Sequence, residues 1–120
     1  MRNPDVHRTL RCLLIIGIAS ASLHAVAHEP VARCVLLDAQ TVRCRGANND
    51  GDEMPGARMD VIALSGETLL EGRLDARSTL TFKRPEQPFY VLFDIAPGLQ
   101  SVVEQEEIML PPTRRARWMQ

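Results

Sequence analysis

The sequence predicts an all-β fold: a seven-stranded antiparallel β-sandwich behind an N-terminal export segment. Three observations support this prediction. The 120-residue chain has room for one domain. Between residues 28 and 110, short runs alternate apolar and polar side chains, as half-buried strands do. Turn-forming Gly, Pro, Asn and Asp separate these runs roughly every 8–12 residues, the spacing of sandwich proteins.

Residues 1–27 have the three parts of a cleaved signal peptide, including a helical apolar segment. Three arginines precede the apolar stretch Cys12–Leu23, and Ala25-Val26-Ala27 forms a small-x-small cleavage site. A membrane anchor is the weaker alternative, because a span needs about 20 apolar residues. We therefore predict cleavage after Ala27, a mature chain that begins at His28, and a bacterial periplasm as the destination.

The charge distribution excludes a strongly basic nucleic-acid binder. The full chain has a formal net charge of −1, and aromatic residues make up only 4% of it. Residues 28–110 hold 8 basic and 14 acidic side chains, whereas residues 111–120 hold three arginines and no acid. We expect this basic segment to be a mobile tail. Its Arg114-Arg115-Ala116-Arg117-Trp118 run is either solvated or a contact for anionic lipid or an acidic partner.

Two cysteines remain after cleavage, and their spacing predicts a cross-linked hairpin. The apolar runs around Cys34 and Cys44 flank a turn at Asp38-Ala39-Gln40. A register that opposes the two cysteines also opposes Leu36 to Val42 and Leu37 to Thr41, which makes the inner face apolar. Export to an oxidising compartment favours a disulfide between Cys34 and Cys44. Free thiols and a metal-binding pair are the alternatives.

The rest of the chain predicts five more strands. A polar loop occupies residues 46–56, and turns or loops follow at 65–67, 75–78 and 85–88. Strands are predicted over residues 57–64, 68–74, 79–83 and 89–96, the last of them central because it is apolar on both faces. Residues 101–110 fit a charged edge strand better than a helix. The predicted inward residues are Met59, Val61, Ala63, Leu70, Leu74, Leu80, Phe82, Phe89, Val91, Phe93 and Ile95.

Residues with metal-binding chemistry are sparse. His28 would be the only mature histidine, and its imidazole could bind copper or nickel together with a free α-amine. Asp50, Asp52 and Glu53 carry oxygen donors that suit calcium, without the spacing of an EF-hand. A disordered terminal histidine and a solvated loop are the simpler interpretations. These four residues are weak candidates, so we predict no metal and no cofactor.

Several short motifs resemble a known family. They are Pro55-Gly56-Ala57-x-Met59-x-Val61, Gly72-x-Leu74-Asp75, Leu80-x-Phe82, Phe89-Tyr90-x-Leu92 and Pro97-Gly98. The pattern resembles the transthyretin-like sandwiches called carboxypeptidase regulatory-like domains, over residues 43–103. It is also similar to small exported proteins thought to accompany nickel or cobalt uptake, although Leu99 stands where those proteins have a second histidine. The resemblance implies a transthyretin-like (Ig-like) sandwich.

Three functional hypotheses follow, and none of them is enzymatic, because no nucleophile elbow or phosphate loop occurs. The first is a periplasmic accessory or binding module of the carboxypeptidase regulatory-like type. The second is a periplasmic protein that handles nickel, cobalt or copper. The third is an envelope interaction domain that uses an exposed strand edge. The expected partner is an envelope protein or a metal ion, with no nucleic acid and no stable membrane anchor after cleavage.

Export gives the first testable prediction. Mass spectrometry of the protein expressed in a bacterium with an outer membrane should find a soluble periplasmic form that begins at His28. Replacing Ala25 and Ala27 with leucine removes the small residues that the cleavage site requires, and should leave the precursor uncut. Uncut wild-type protein in the membrane fraction would contradict the prediction.

Overall fold

The computed structural model describes residues 28–120, and the predicted signal peptide lies outside them. This part of the chain is all-β, with seven strands in two antiparallel sheets and only two single 3-10 turns as helical structure. One sheet has three strands in the order β1-β2-β5, and the other has four in the order β4-β3-β6-β7. The strands are β1 (Pro30–Asp38), β2 (Thr41–Asn48), β3 (Arg58–Ala63), β4 (Thr68–Arg73), β5 (Thr79–Lys83), β6 (Phe89–Ala96) and β7 (Leu99–Glu104).

The inner faces of the two sheets form one hydrophobic core. Strand β6 lies between β3 and β7, which confirms the prediction of a central strand. Its alternate residues Phe89, Val91 and Phe93 are buried, and Ile95 packs against the same core. The four-stranded sheet also contributes Met59, Val61 and Val103, and the three-stranded sheet contributes Cys34, Val42, Cys44 and Phe82.

The β1–β2 hairpin has the predicted cysteine pairing with a different turn. Cys34 opposes Cys44, Leu36 opposes Val42, and the two cysteines form a disulfide. The turn contains only Ala39 and Gln40, because Asp38 pairs directly with Thr41. The predicted pairing of Leu37 with Thr41 is therefore wrong. A bulge at Leu37 adds one unpaired residue to β1, which restores the register that a two-residue turn alone would shift.

The polar loop begins three residues later than the sequence predicts, because β2 continues to Asn48. Gly46 permits this extension. A β-carbon built on Gly46 would lie 2.7 Å from both Leu74 and the Phe93 ring, so only glycine fits between the sheets there. The amide of Gly46 donates to the Ser78 carbonyl at 3.0 Å, which ties β2 to the loop before β5.

Strand β4 differs from its predicted burial pattern. Leu70 is 37% exposed, and Leu69 packs against the core instead. Val61 opposes Leu70 and the next residue of β3 opposes Thr68, so Leu69 is an extra residue that forms a bulge in β4. Leu70 stays on the same face as Val61, and it is exposed because β4 is an edge strand. Leu74 is buried as predicted.

The chain after β6 forms a strand, as predicted, and then crosses from the four-stranded sheet to the three-stranded sheet. Strand β7 ends at Glu104, and the 3-10 turn Gln105–Glu107 follows. The carboxylate of Glu107 accepts the Glu104 amide at 2.7 Å, which caps this turn. The Leu36 amide then donates to the Met109 carbonyl at 2.9 Å, in a parallel bridge on the free edge of β1.

The basic C-terminal segment lies against the outer face of the three-stranded sheet. It forms a second 3-10 turn at Arg117–Met119, and Met119 is only 4% exposed. Met119 and the buried outer-face residue Val35 line the same crevice. The sequence predicts a mobile tail because the segment is polar and basic. Met119 is buried beside a crevice that Val35, 84 positions earlier, also lines, and no local sequence pattern indicates this.

The disulfide gives the second testable prediction. It closes a short loop with a sequence separation of 10 residues. By the chain-entropy model, replacing both cysteines with alanine should lower the free energy of unfolding by about 3 kcal/mol. Urea denaturation would measure the loss, and wild-type protein unfolded in the presence of a reductant should show a similar loss. Equal stability of the double variant and the oxidised wild type would contradict a stabilising role.

Candidate functional site

The outer face of the three-stranded sheet carries a dense set of arginines. Side chains alternate along a strand, so burial of Cys34 and Cys44 in the core directs Arg33, Arg43 and Arg45 outward. Arg45 lies in a row with Arg33 on β1 and Thr79 on β5. Arg43 lies in the next row, opposite Thr81.

Two of these arginines oppose each other directly with no carboxylate between them. Arg33 and Arg45 are paired across β1 and β2, an arrangement of like charges that costs roughly 0.2–1 kcal/mol. The four-stranded sheet has a similar pair, Arg58 opposite Arg73, but there one of the two arginines forms an ion pair. The nearly buried carboxylate of Asp60 accepts the Arg58 Nε at 2.8 Å. This ion pair raises the pKa of Arg58, so that cation is neutralised locally.

The C-terminal segment forms one wall of a cleft on this arginine-bearing face. Arg43 holds the segment through backbone carbonyls: it donates to the carbonyl of Gln120 at 2.6 Å and approaches that of Trp118 at 3.4 Å. Its Nε donates to the Thr81 hydroxyl at 2.9 Å. These contacts leave the half-buried indole of Trp118 beside the outer face of β2.

The resulting cleft has a volume of about 770 Å³. We call it the arginine cleft and define it by Arg43, Arg45, Arg77, Arg117 and Trp118. Glu53 and Asp75 also line it, so its charged side chains sum to +2. Among residues 28–120, no Asp or Glu carboxylate lies within 4 Å of a side-chain nitrogen of these four arginines. The backbone oxygen of Gln120, the last residue of the sequence, lies 2.6 Å from Arg43. The cleft is therefore a concave, cationic surface on a body whose net charge is negative.

The loop between β4 and β5 positions Arg77. The Asp75 carboxylate accepts the amide of Arg77 and both the amide and hydroxyl of Thr79, at 2.8–2.9 Å. These bonds, chiefly that from the Thr79 amide, lower the pKa of Asp75. They also hold Thr79 in a buried position, although the alternation of side chains along β5 places it on the outer face of the sheet. The buried Ser78 adopts a φ of 58°, and its hydroxyl accepts the Met54 amide. Asp75 thus acts as a structural acceptor within the cleft.

The weak metal candidates are only partly brought together. The Nδ1 of His28 lies 2.9 Å from a carboxylate oxygen of Asp50, and both side chains are more than half exposed. Asp52 faces Asn48, whose side-chain amide donates to it at 3.1 Å. Glu53 lines the arginine cleft instead. Within the described residues, no group of three or more His, Cys, Asp or Glu side chains is placed to hold a metal ion.

Sequence reasoning does not identify the arginine cleft, because its residues come from three separate segments. Arg43 and Arg45 belong to β2, Arg77 to a loop and Arg117 to the C-terminal segment. The available signal was the alternation of arginines around the cysteines at positions 33, 43 and 45. This alternation indicates a cationic surface only when the register of the disulfide hairpin is known, because that register places all three arginines on the outer face.

Comparison of the chain with known families, proteins and structures finds no relative. No family model, curated protein or solved structure matches the chain. Across residues 28–120, none of the helical turns has the length and apolar character of a membrane span.

The Asp75 loop gives the third testable prediction. A lowered pKa means that the folded state binds this proton less readily than the unfolded chain. Its stabilisation is therefore complete above the ordinary carboxyl pKa of about 3.9 and is lost as pH falls through the lower folded value. Asp75→Asn should be less stable than wild type at pH 7, and the difference should shrink in acid.

Urea unfolding between pH 2 and pH 7 would measure this effect. Glu67→Gln is the matched control, because it removes one exposed carboxylate without a side-chain hydrogen bond in the described structure. It should stay within about 0.5 kcal/mol of wild type at pH 7. A constant difference between Asp75→Asn and wild type over the whole pH range would contradict the assignment.

Proposed function

We propose that this protein is a periplasmic, non-enzymatic binding module of the carboxypeptidase regulatory-like type that recognises an anionic ligand at the arginine cleft. The observation that carries the proposal is the cleft itself. Four arginines line it, and no Asp or Glu carboxylate of residues 28–120 lies within 4 Å of their side-chain nitrogens. Arg43 donates to the backbone oxygen of Gln120, which leaves Arg45, Arg77 and Arg117 as the cations without such a partner. A concave site with uncompensated cations attracts anions and pairs with carboxylate, sulfate or phosphate groups.

The disulfide supports the export part of the proposal. A bond between Cys34 and Cys44 suggests a non-cytoplasmic, oxidising compartment. A signal peptide over residues 1–27 would deliver the chain there. The seven strands in two antiparallel sheets are consistent with a transthyretin-like module.

The chemistry of the cleft supports binding rather than catalysis. Nucleophilic catalysis needs a base within hydrogen-bond reach of the nucleophile. The hydroxyl of Thr79 donates to Asp75, and Thr81 accepts from Arg43, so both cleft hydroxyls serve structural contacts. His28 lies beside Asp50 and does not line the cleft. Besides the exposed carboxylate of Glu53, the remaining charged or aromatic groups are four arginines and the Trp118 indole, which recognise ligands through charge and stacking.

Anion binding gives the fourth testable prediction. Trp118 is the only tryptophan in the chain, so its fluorescence reports on the cleft directly. Titration at 10 mM salt with citrate, pyrophosphate and an acidic polysaccharide should change this fluorescence for at least one of them. Binding should weaken at least tenfold in an Arg45→Gln/Arg77→Gln variant, and it should weaken with added salt because salt screens exposed charges.

Arg73→Gln is the matched control, because it removes one exposed arginine from the other sheet. Arg73 makes a single 3.3 Å contact with the Gly56 carbonyl. The Arg73→Gln variant should bind the anions with the same affinity as the wild type. If none of the anions binds the wild type, the proposed function is wrong.

A second candidate function, metal handling, is favoured by the contact between His28 and Asp50. If cleavage follows Ala27, the α-amine and imidazole of His28 and the Asp50 carboxylate would offer two nitrogen donors and one oxygen donor. Calorimetry of the processed protein with Cu²⁺ or Ni²⁺ should then show modest affinity at pH 7. Binding should disappear in His28→Ala and below about pH 6, where protons compete for the imidazole. Equal affinity in His28→Ala would exclude this site.

A further inference from the structure

The cationic surface extends beyond the arginine cleft to the other side of Trp118. A second crevice, of about 250 Å³, is lined by Arg33, Arg45 and Trp118. Arg45 and Trp118 border both spaces, so the two are neighbours along one face. Five arginines therefore surround one indole in a continuous band, rather than converging on a closed pocket.

The spacing of these arginines fits an extended ligand better than a compact anion. Arg43 and Arg45 are alternate residues of β2, about 7 Å apart along the strand, and Arg33 lies about 5 Å across from Arg45. Arg43 is also committed to the Gln120 carbonyl, so it cannot turn toward a shared centre without releasing the C-terminal segment. Charges distributed in this way match anionic groups repeated along a polymer.

The indole between the arginines favours a polymer built from sugar rings. The C–H face of a pyranose packs well against an indole, whose ring face is electron-rich. Single-stranded nucleic acid stacks several successive bases on several aromatic side chains, and this face offers only one. A bilayer surface is broad, whereas the C-terminal segment walls these spaces into a cleft. An acidic polypeptide carries repeated carboxylates, but its Asp and Glu side chains have no ring that could pack on the indole.

We propose that the outer face of the three-stranded sheet binds an extended acidic polysaccharide. One sugar ring packs on Trp118, and its neighbours place their carboxylate or sulfate groups against arginines on both sides. This inference rests on the proposed function and names its ligand class. The C-terminal segment, held by Arg43 and by burial of Met119, brings Arg117 to a face that already bears Arg43 and Arg45. A bound polyanion would reduce the repulsion between these cations.

The test compares four probes by calorimetry at 10 mM salt: polygalacturonate, monomeric galacturonate, poly-glutamate and neutral dextran. Polygalacturonate should bind at least tenfold more tightly, per uronate unit, than the monomer. Poly-glutamate of matched length should bind at least fivefold more weakly than polygalacturonate, and dextran should not bind. Trp118→Ala should weaken polygalacturonate binding at least fivefold, whereas Trp118→Phe should stay within threefold of wild type because it retains an aromatic ring.

Three results would overturn the inference. Equal binding of poly-glutamate and polygalacturonate would show that sugar rings are not recognised. Monomer affinity equal to that of the polymer would show a compact site. Unchanged affinity in Trp118→Ala would remove the indole from the site, and circular dichroism of that variant would confirm that it is folded. The first two results leave an anion-binding function standing, whereas failure of every anion to bind rejects the proposed function as well.

Discussion

The pairing of Cys34 with Cys44 across the first hairpin determines which face of the three-stranded sheet each residue occupies. Strand side chains have a period of two, so a slip of one residue would exchange the core face for the solvent face along all of β2. The turn supplies only two residues, and the bulge at Leu37 supplies the compensating one. Because the cysteines and Val42 face inward, Arg43 and Arg45 must face outward. The arrangement of the cationic face therefore follows from a covalent constraint in the core.

The sequence could predict those parts of the fold that depend on local patterns. Alternation located all seven strands, and the apolar run from Phe89 correctly indicated the central one. The bulge at Leu37 could not be predicted, because it depends on a competition between turn geometry and cysteine pairing. Contact between Met119 and the crevice beside Val35 joins distant segments that share no pattern. The sequence does not predict the arginine cleft for the same reason, since Arg117 joins Arg43, Arg45 and Arg77 only when the C-terminal segment has docked.

Each sheet has a pair of arginines opposed across two strands of its outer face, and the two pairs differ in whether a carboxylate neutralises one of them. On the four-stranded sheet, Arg58 opposes Arg73, and the buried Asp60 neutralises Arg58 within the molecule. That arrangement neutralises one of the two opposed cations within the molecule. On the three-stranded sheet, Arg33 opposes Arg45 without such a partner among residues 28–120. Charge without an internal partner lowers stability slightly and leaves these cations able to pair with an external anion, as the proposed function requires.

The bridge between Leu36 and Met109 has a consequence for association between copies of the protein. An edge strand with free amides and carbonyls is a template on which another chain can add a strand, the first step toward fibrils. The Met109 carbonyl accepts the Leu36 amide and so occupies part of the β1 edge. At the opposite end of the four-stranded sheet, the bulge beside Leu69 interrupts the regular pairing of β4. Both features hinder the addition of a further strand at two of the four sheet edges, those of β1 and β4.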